Sequence, residues 1–183
     1  MTAAIRALPG VTQTLHLETT PSTQDLAKRL ARDGAPAGTL VWADRQTAGR
    51  GRLERRWTSE PGGLYFSLIQ RPSLAPERLA QLSLDCAAAV AKALGKATGV
   101  ETAVKPPNDV LARAGDKGGK VCGILIEASG TGSRLDWVVL GVGVNVNNAP
   151  RLKTACSLRG LTGRNWDLPA VLEAVLGELA NPL

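Results

Sequence analysis

Aromatic residues make up only 3% of this 183-residue chain, and it holds a single histidine, one methionine and three cysteines. With His16 alone, and Cys86, Cys122 and Cys156 far apart with no Cys-x-x-Cys spacing, the sequence argues against a zinc site and against Cys-His or Ser-His-Asp nucleophiles. The cysteines are read as reduced thiols, with Cys122 buried in a strand. His16, flanked by Leu15 and Leu17, is read as an outward strand residue. So few aromatics argue against a single-strand nucleic-acid module, which stacks bases on aromatic platforms. No apolar run is long enough to cross a bilayer, and residues 1–20 lack the apolar core of a signal peptide. A cytoplasmic location with no membrane partner is the default expectation. Internal repeats, low-complexity tracts and linkers are missing too. The length fits one compact domain, taken as residues 1–183.

What is abundant is positive charge. The formal net charge is +6 and the pI about 9.7, a balance suited to anionic partners: nucleic acid, a nucleotide or an acidic protein. Five arginines, two glycines and Trp57 fall within "DRQTAGRGRLERRW", residues 44–57, with no apolar periodicity.

The pattern predicts strands at 11–20, 39–43, 62–70, 120–128 and 136–147, and two short strands within 101–112 around a Pro-Pro-Asn-Asp turn. Polar turns are placed at 113–119 and 129–134. Helices are predicted after Ser22, which caps with a capping-box-like Asp25 and a stop at Gly34; over 79–98, where Leu79, Leu82, Cys86, Val90 and Leu94 form a stripe; and after the cap Asp167, with Pro169 in the first turn. Hairpins outnumber helices, so the fold class expected is α+β, a mixed sheet flanked by helices.

Four stretches carry candidate chemistry. In "GRGR" (49–52), Gly49 and Gly51 let the backbone approach a ligand, and Arg50 and Arg52 supply forked donors for carboxylate or phosphate; a solvated basic loop or a nucleic-acid patch is the alternative. It is not a Walker loop. In "KPPNDV" (105–110), Lys105, Asn108 and Asp109 converge on one turn, and a plain hairpin explains them equally. In "KVCGILIE" (120–127), Lys120 opens an apolar strand, where it either snorkels to solvent or holds its ammonium over a site. Gly123 there marks a close approach. In "GVGVNVN" (141–147), Gly141 and Gly143 strip one strand face, either for close packing or as a pocket floor, and Asn145 needs a partner if buried.

Together with "STQ" (22–24), these stretches resemble the biotin–protein ligases. That family's patterns are Ser-Thr-Asn, a Gln-x-Ala-Gly-Arg-Gly-Arg loop ending in Trp, Lys-Trp-Pro-Asn-Asp, Lys-x-x-Gly-Ile-Leu-x-Glu and Gly-x-Gly-x-Asn, in the same order. The resemblance spans roughly residues 15–147. It implies the biotin/lipoyl ligase catalytic-domain fold, of the class II aminoacyl-tRNA synthetase type. It also implies a two-step reaction: ATP and biotin give biotinyl-5′-adenylate and pyrophosphate with Mg²⁺ on the phosphates, then biotin passes to a lysine of a biotin carboxyl carrier protein of acetyl-CoA carboxylase. No DNA partner is expected.

The same resemblance implies the site. Ser22, Thr23 and Gln46 would meet the ureido ring. Gly49, Arg50, Gly51 and Arg52 would line biotin and phosphate. Lys120 would bond the carboxylate and the adenylate phosphate, making Lys120, Arg50 and Arg52 the catalytic set. Gly123, Gly141 and Gly143 would border the ring pocket. Trp57, Asn108, Asn145 and Lys105, with Arg52 and Lys120, would serve ATP. Asp109 receives no role, and no metal ligands are assigned. Two departures stand out: Pro106 replaces the family's aromatic, and neither an N-terminal helix-turn-helix nor a C-terminal barrel is expected in these residues. The rival readings are a lipoyl or octanoyl ligase of the same fold, a nucleic-acid-binding module, and an inactive biotin-binding protein.

Overall fold

A computed structural model describes residues 7–182. Seven strands form one sheet: β1 (Gln13–Thr20), β2 (Thr39–Gln46), β3 (Leu64–Gln70), β4 (Glu101–Lys105), β5 (Asp109–Ala114), β6 (Lys117–Thr131) and β7 (Arg134–Val144), in the spatial order β1-β2-β3-β7-β6-β5-β4. Only β1 and β2 run parallel; every other pair is antiparallel. A parallel pair needs a crossover, and helix α1 (Thr23–Arg32) supplies it. Ser22 caps α1 by accepting from the Asp25 N–H at 3.3 Å. The expected capping box is left half-made, because the Asp25 carboxylate turns to Arg50 at 3.2 Å and Lys28 at 3.3 Å. At the other end of α1, Arg71 donates to the carbonyls of Ala31, Ala35 and Asp136, tying the helix end to the sheet.

Two apolar layers result. Ala27 and Ala31 of α1 pack on Val41, Ile69, Trp137 and Val139. On the opposite face, α2 (Leu79–Thr98) and α4 (Leu168–Leu179) cover Phe66, Leu140, Val142, Ile124 and Cys122. Of the expected stripe, Leu82, Cys86, Val90 and Leu94 are buried and Leu79, in the first turn of α2, is partly buried. Each fully buried large apolar side chain contributes about 1.5–3 kcal/mol. Gly99, with φ 75°, ends α2, and Asp167 caps α4 by accepting from the Ala170 N–H. Cys86, Cys122 and Cys156 are free; burial raises all three thiols, Cys86 to about 12, which keeps them protonated.

The structure corrects several boundaries: β2, expected to end at residue 43, runs to Gln46, and β5 runs to Ala114. Residues 117–119, expected in a turn, begin β6: Gly118 and Gly119 pair with Arg113 and Ala112. The glycines there mark a close approach, since a Cβ on Gly119 would lie 2.8 Å from the Thr154 carbonyl oxygen. Strands β6 and β7 likewise absorb most of the turn expected at 129–134. Strand β7 stops at Val144, so Asn145 lies beyond it rather than inside. A short helix, α3 (Leu158–Thr162), was not expected, although Ser157 caps it and Gly163, with φ 75°, closes it.

Candidate active site

Two rows that cross the sheet bring the scattered motifs together. One runs Tyr65, Gly143, Gly123, Asp109, Lys105 across β3, β7, β6, β5 and β4; the other runs Val41, Ser67, Gly141, Leu125 across β2, β3, β7 and β6. On this floor opens a cavity of about 400 Å³, a size suited to a small organic ligand.

One end is polar and buried. Gln46, the last residue of β2, accepts from both the N–H (2.8 Å) and the hydroxyl (3.1 Å) of Thr23, while its Nε2 donates to Ser59 at 2.8 Å. Ser67 and Gln24 complete the group, the Ser67 hydroxyl lying 3.0 Å from each of Thr23 Oγ1 and Gln24 Oε1. The middle is paved with glycine and covered by Trp57. A Cβ on Gly143 would sit 2.6 Å from the indole Nε1, and one on Gly123 would sit 2.9 Å from the ring carbon Cζ3. The indole N–H is buried with no acceptor, an open donor inside the cavity. Next comes Lys120, with its ammonium 2.6 Å from Asp109 Oδ1 and 5.2 Å from the Trp57 ring centre, within cation–π reach.

The far end is basic. Arg52, Arg55, Arg56 and Lys105 line it, and among the described residues none has a carboxylate within ion-pair distance. Arg151 lines it as well, paired with Glu60 at 3.2 Å. Residues 49–57 form a hairpin closed on itself by Gly51 N–H to Arg55 carbonyl (2.8 Å) and Trp57 N–H to Gly49 carbonyl (2.9 Å). Leu53 and Glu54 hold its tip at φ 52° and 59°, and Leu53 is 83% exposed. At its base, Thr47 and Ala48 donate to the carbonyls of Thr20 and Pro21.

Most of the expected residues therefore meet: Thr23, Gln46, Arg50, Gly51, Arg52, Trp57, Lys105, Asn108, Lys120, Gly123, Gly141, Gly143 and Asn145 all line the cavity. Ser22 and Gly49 stand behind its wall. The Ser22 hydroxyl is taken by the helix cap, and a Cβ on Gly49 would meet the Trp57 carbonyl and Ser59. Trp57, expected to close over the ligand and help order the adenine side, lies on the glycines expected to border the ring. Asn108 spends its Nδ2 on the Ile124 carbonyl at 2.6 Å, and Asn145 accepts from Asn148 at 2.9 Å. Arg50 reaches Asp25 and Glu127 on the cavity's flank. Sequence reasoning missed Gln24, Ser67, Arg55, Arg56 and Asn148. A glutamine beside Thr23 in a capped first turn was a signal for Gln24; Ser67, within an apolar strand, gave the same kind of signal as Asn145.

A family model for the biotin/lipoate A/B protein ligases matches residues 16–145, the stretch that builds this cavity. The chain belongs to the biotin/lipoate A/B protein ligase family. It is 42% identical over 162 residues to the bifunctional ligase/repressor BirA of Bacillus subtilis, covering 85% of this chain and 49% of that protein. It is 43% identical over 136 residues to the biotin–[acetyl-CoA-carboxylase] ligase of Paracoccus denitrificans, covering 73% of this chain and 55% of the relative. The ligase-family chain thus spans about half the length of these relatives. The biotin protein ligase of Aquifex aeolicus, solved with biotin and ATP, superposes with a TM-score of 0.76 at 36% identity, covering 93% of this chain and 70% of that one. The seven-stranded mixed sheet with flanking helices is thus the fold of a biotin protein ligase catalytic domain. No described helix of this family member is long and apolar enough to cross a membrane.

Proposed function

We propose that this chain is the catalytic unit of a biotin–protein ligase. The family includes ligases for biotin and for lipoate, and the buried polar end of the cavity favours biotin. A cyclic urea offers an N–H donor to the acceptor that the Thr23, Gln24 and Ser67 network leaves open, whereas a dithiolane ring would leave that buried acceptor unpaired. This polar floor, facing Lys120 across the glycine strip, is the observation that carries the reading. It supports a linear acid lying with its ring on the floor, its chain under Trp57 and its carboxylate at Lys120.

In the first step a biotin carboxylate oxygen attacks the α-phosphorus of ATP, the acyl-phosphate bond forms and pyrophosphate leaves. Two anions must meet, and Lys120, Arg52, Arg55, Arg56 and Lys105 offset their repulsion. Mg²⁺ enters with the triphosphate as part of the substrate. Asp109 holds the Lys120 ammonium at the point where carboxylate and phosphate would converge. In the second step the acceptor's lysine amine, deprotonated, attacks the acyl carbon and AMP departs. The acceptor in this reading is the biotin carboxyl carrier of acetyl-CoA carboxylase, the enzyme in the Paracoccus relative's name. Convergence of the arginines on the cavity supports a small anion as their target.

The test is exchange of labelled pyrophosphate into ATP. Exchange is expected with biotin and Mg²⁺ and not with lipoate or octanoate; equal exchange with lipoate would overturn the assignment.

A further inference from the structure

Ser67 has one proton and two acceptors. Its fully buried hydroxyl lies 3.0 Å from Thr23 Oγ1 and 3.0 Å from Gln24 Oε1. Gln24 is 3% exposed, and its Nε2 donates to the Val139 carbonyl at 3.2 Å, which fixes the direction of the amide. The amide has room because residue 141 is glycine; a Cβ there would collide with Gln24 Oε1. The Thr23 hydroxyl lies 3.1 Å from Gln46 Oε1, an oxygen already engaged at 2.8 Å by the Thr23 N–H.

Two proton arrangements fit these distances. If Thr23 donates to Ser67, then Ser67 donates to Gln24, and the lone pairs of Thr23 Oγ1 stay open. If Ser67 donates to Thr23, then Thr23 donates to Gln46, and Gln24 Oε1 has no donor. In both, the Thr23–Gln24 pair keeps one buried acceptor open, and both residues line the cavity. A ligand N–H completes the network whichever acceptor it meets, because Ser67 can turn its proton to the other.

We propose that Gln24 and Ser67 set the ring specificity of the cavity, forming a relay that admits a ring bearing an N–H, such as a cyclic urea, and rejects an apolar acid of similar length. This rests on the reading of the cavity as a biotin site. Ser67 is a positioning residue, acting through the direction of the shared proton, and Gln24 offers its Oε1 to the ring when Ser67 turns that proton to Thr23. A site built to pair polar groups loses those bonds when an apolar ligand enters, and discrimination follows.

Gln24→Met keeps a side chain of similar length without its polar atoms, and Ser67→Ala removes the shared proton. Dissociation constants for biotin and octanoate, turnover at saturating biotin, and melting temperature are measured for both variants and wild type. In Gln24→Met, biotin is expected to bind about tenfold or more weakly, and octanoate as well as before or better. Ser67→Ala should move the same way by less. An unchanged biotin-to-octanoate ratio in variants that melt like wild type overturns the relay. Biotin methylated on both ring nitrogens decides the matter on wild type if the variants do not fold: binding equal to biotin overturns the relay, and a loss of tenfold or more supports it. Failure of wild type to adenylate biotin at all would instead overturn the functional reading.

Discussion

The two ends of the cavity are built on different principles. At the ring end, Thr23, Gln24 and Ser67 are buried, hydrogen-bonded to each other and to the sheet, and held by α1, β2 and β3. At the phosphate end, Arg52, Arg55 and Arg56 ride on a hairpin whose tip is exposed and whose bonds are mostly its own. The first end is preorganised by hydrogen bonds; the second concentrates positive charge. The proposed reaction, which must recognise one ring and then shield a reactive anhydride, calls for both: a rigid reader and a closing arm.

The largest expected effect falls where the two ends meet. Lys120→Ala should slow single-turnover adenylate formation by about 100-fold or more. A charge-assisted bond to an anion is worth about 1.5–3 kcal/mol, and more if it strengthens in the transition state. Melting should change little, because Lys120 is one-third exposed; rapid-quench kinetics alongside a thermal melt check both points. Unchanged adenylation would remove the residue from the chemistry.

Next is the glycine strip that separates the ends. Gly143→Ala places a Cβ 2.6 Å from the Trp57 Nε1 of the present arrangement, so the indole must move. Overpacking of this kind typically costs about 1–3 kcal/mol. Titration calorimetry should show weaker biotin binding, and tryptophan fluorescence should report the displaced ring. Trp57→Ala sharpens the same point. The position of the indole predicts a loss of biotin affinity along with any loss for ATP, whereas a role on the adenine side alone predicts that biotin affinity survives.

A smaller effect is expected at the hairpin, where amides of residues 50–56 should exchange rapidly in the free protein and slow down with biotinyl-adenylate, while amides of β3 and β7 barely change. Equal protection in both states would erase the contrast between reader and arm. The smallest effect lies away from both. Glu178 on α4 accepts from Lys92 and Lys96 on α2 at 2.7 and 2.8 Å, bonds that hold its carboxyl below the ordinary value of 4.5. Because the folded pKa is the lower one, this stabilisation is full above the unfolded value and fades as the pH falls through the folded one. Glu178→Gln should therefore melt slightly lower than wild type at pH 7, converge with it in acid, and leave ligand binding untouched.

The sequence by itself determined the elements that local chemistry can write. The helical stripe of α2 and its Gly99 stop and the Ser22 and Asp167 caps are short-range patterns, and they stand as read. The ordered motifs likewise named the family, and most of the site residues they named line the cavity. Tertiary structure decided what lies opposite what. Gly118 and Gly119 look like a turn until β5 and residues 154–156 are seen to press on them. Asp109 has no role in the sequence because its partner, Lys120, is eleven residues away and arrives only through the β5–β6 hairpin. Gln24 and Ser67, 43 residues apart, share one proton only because Gly141, on a third element, leaves the amide room to reach. Caps and periodicity act between neighbours in the chain, so a sequence displays them; hydrogen-bond partners across a sheet are fixed by register, which packing selects for the whole fold at once.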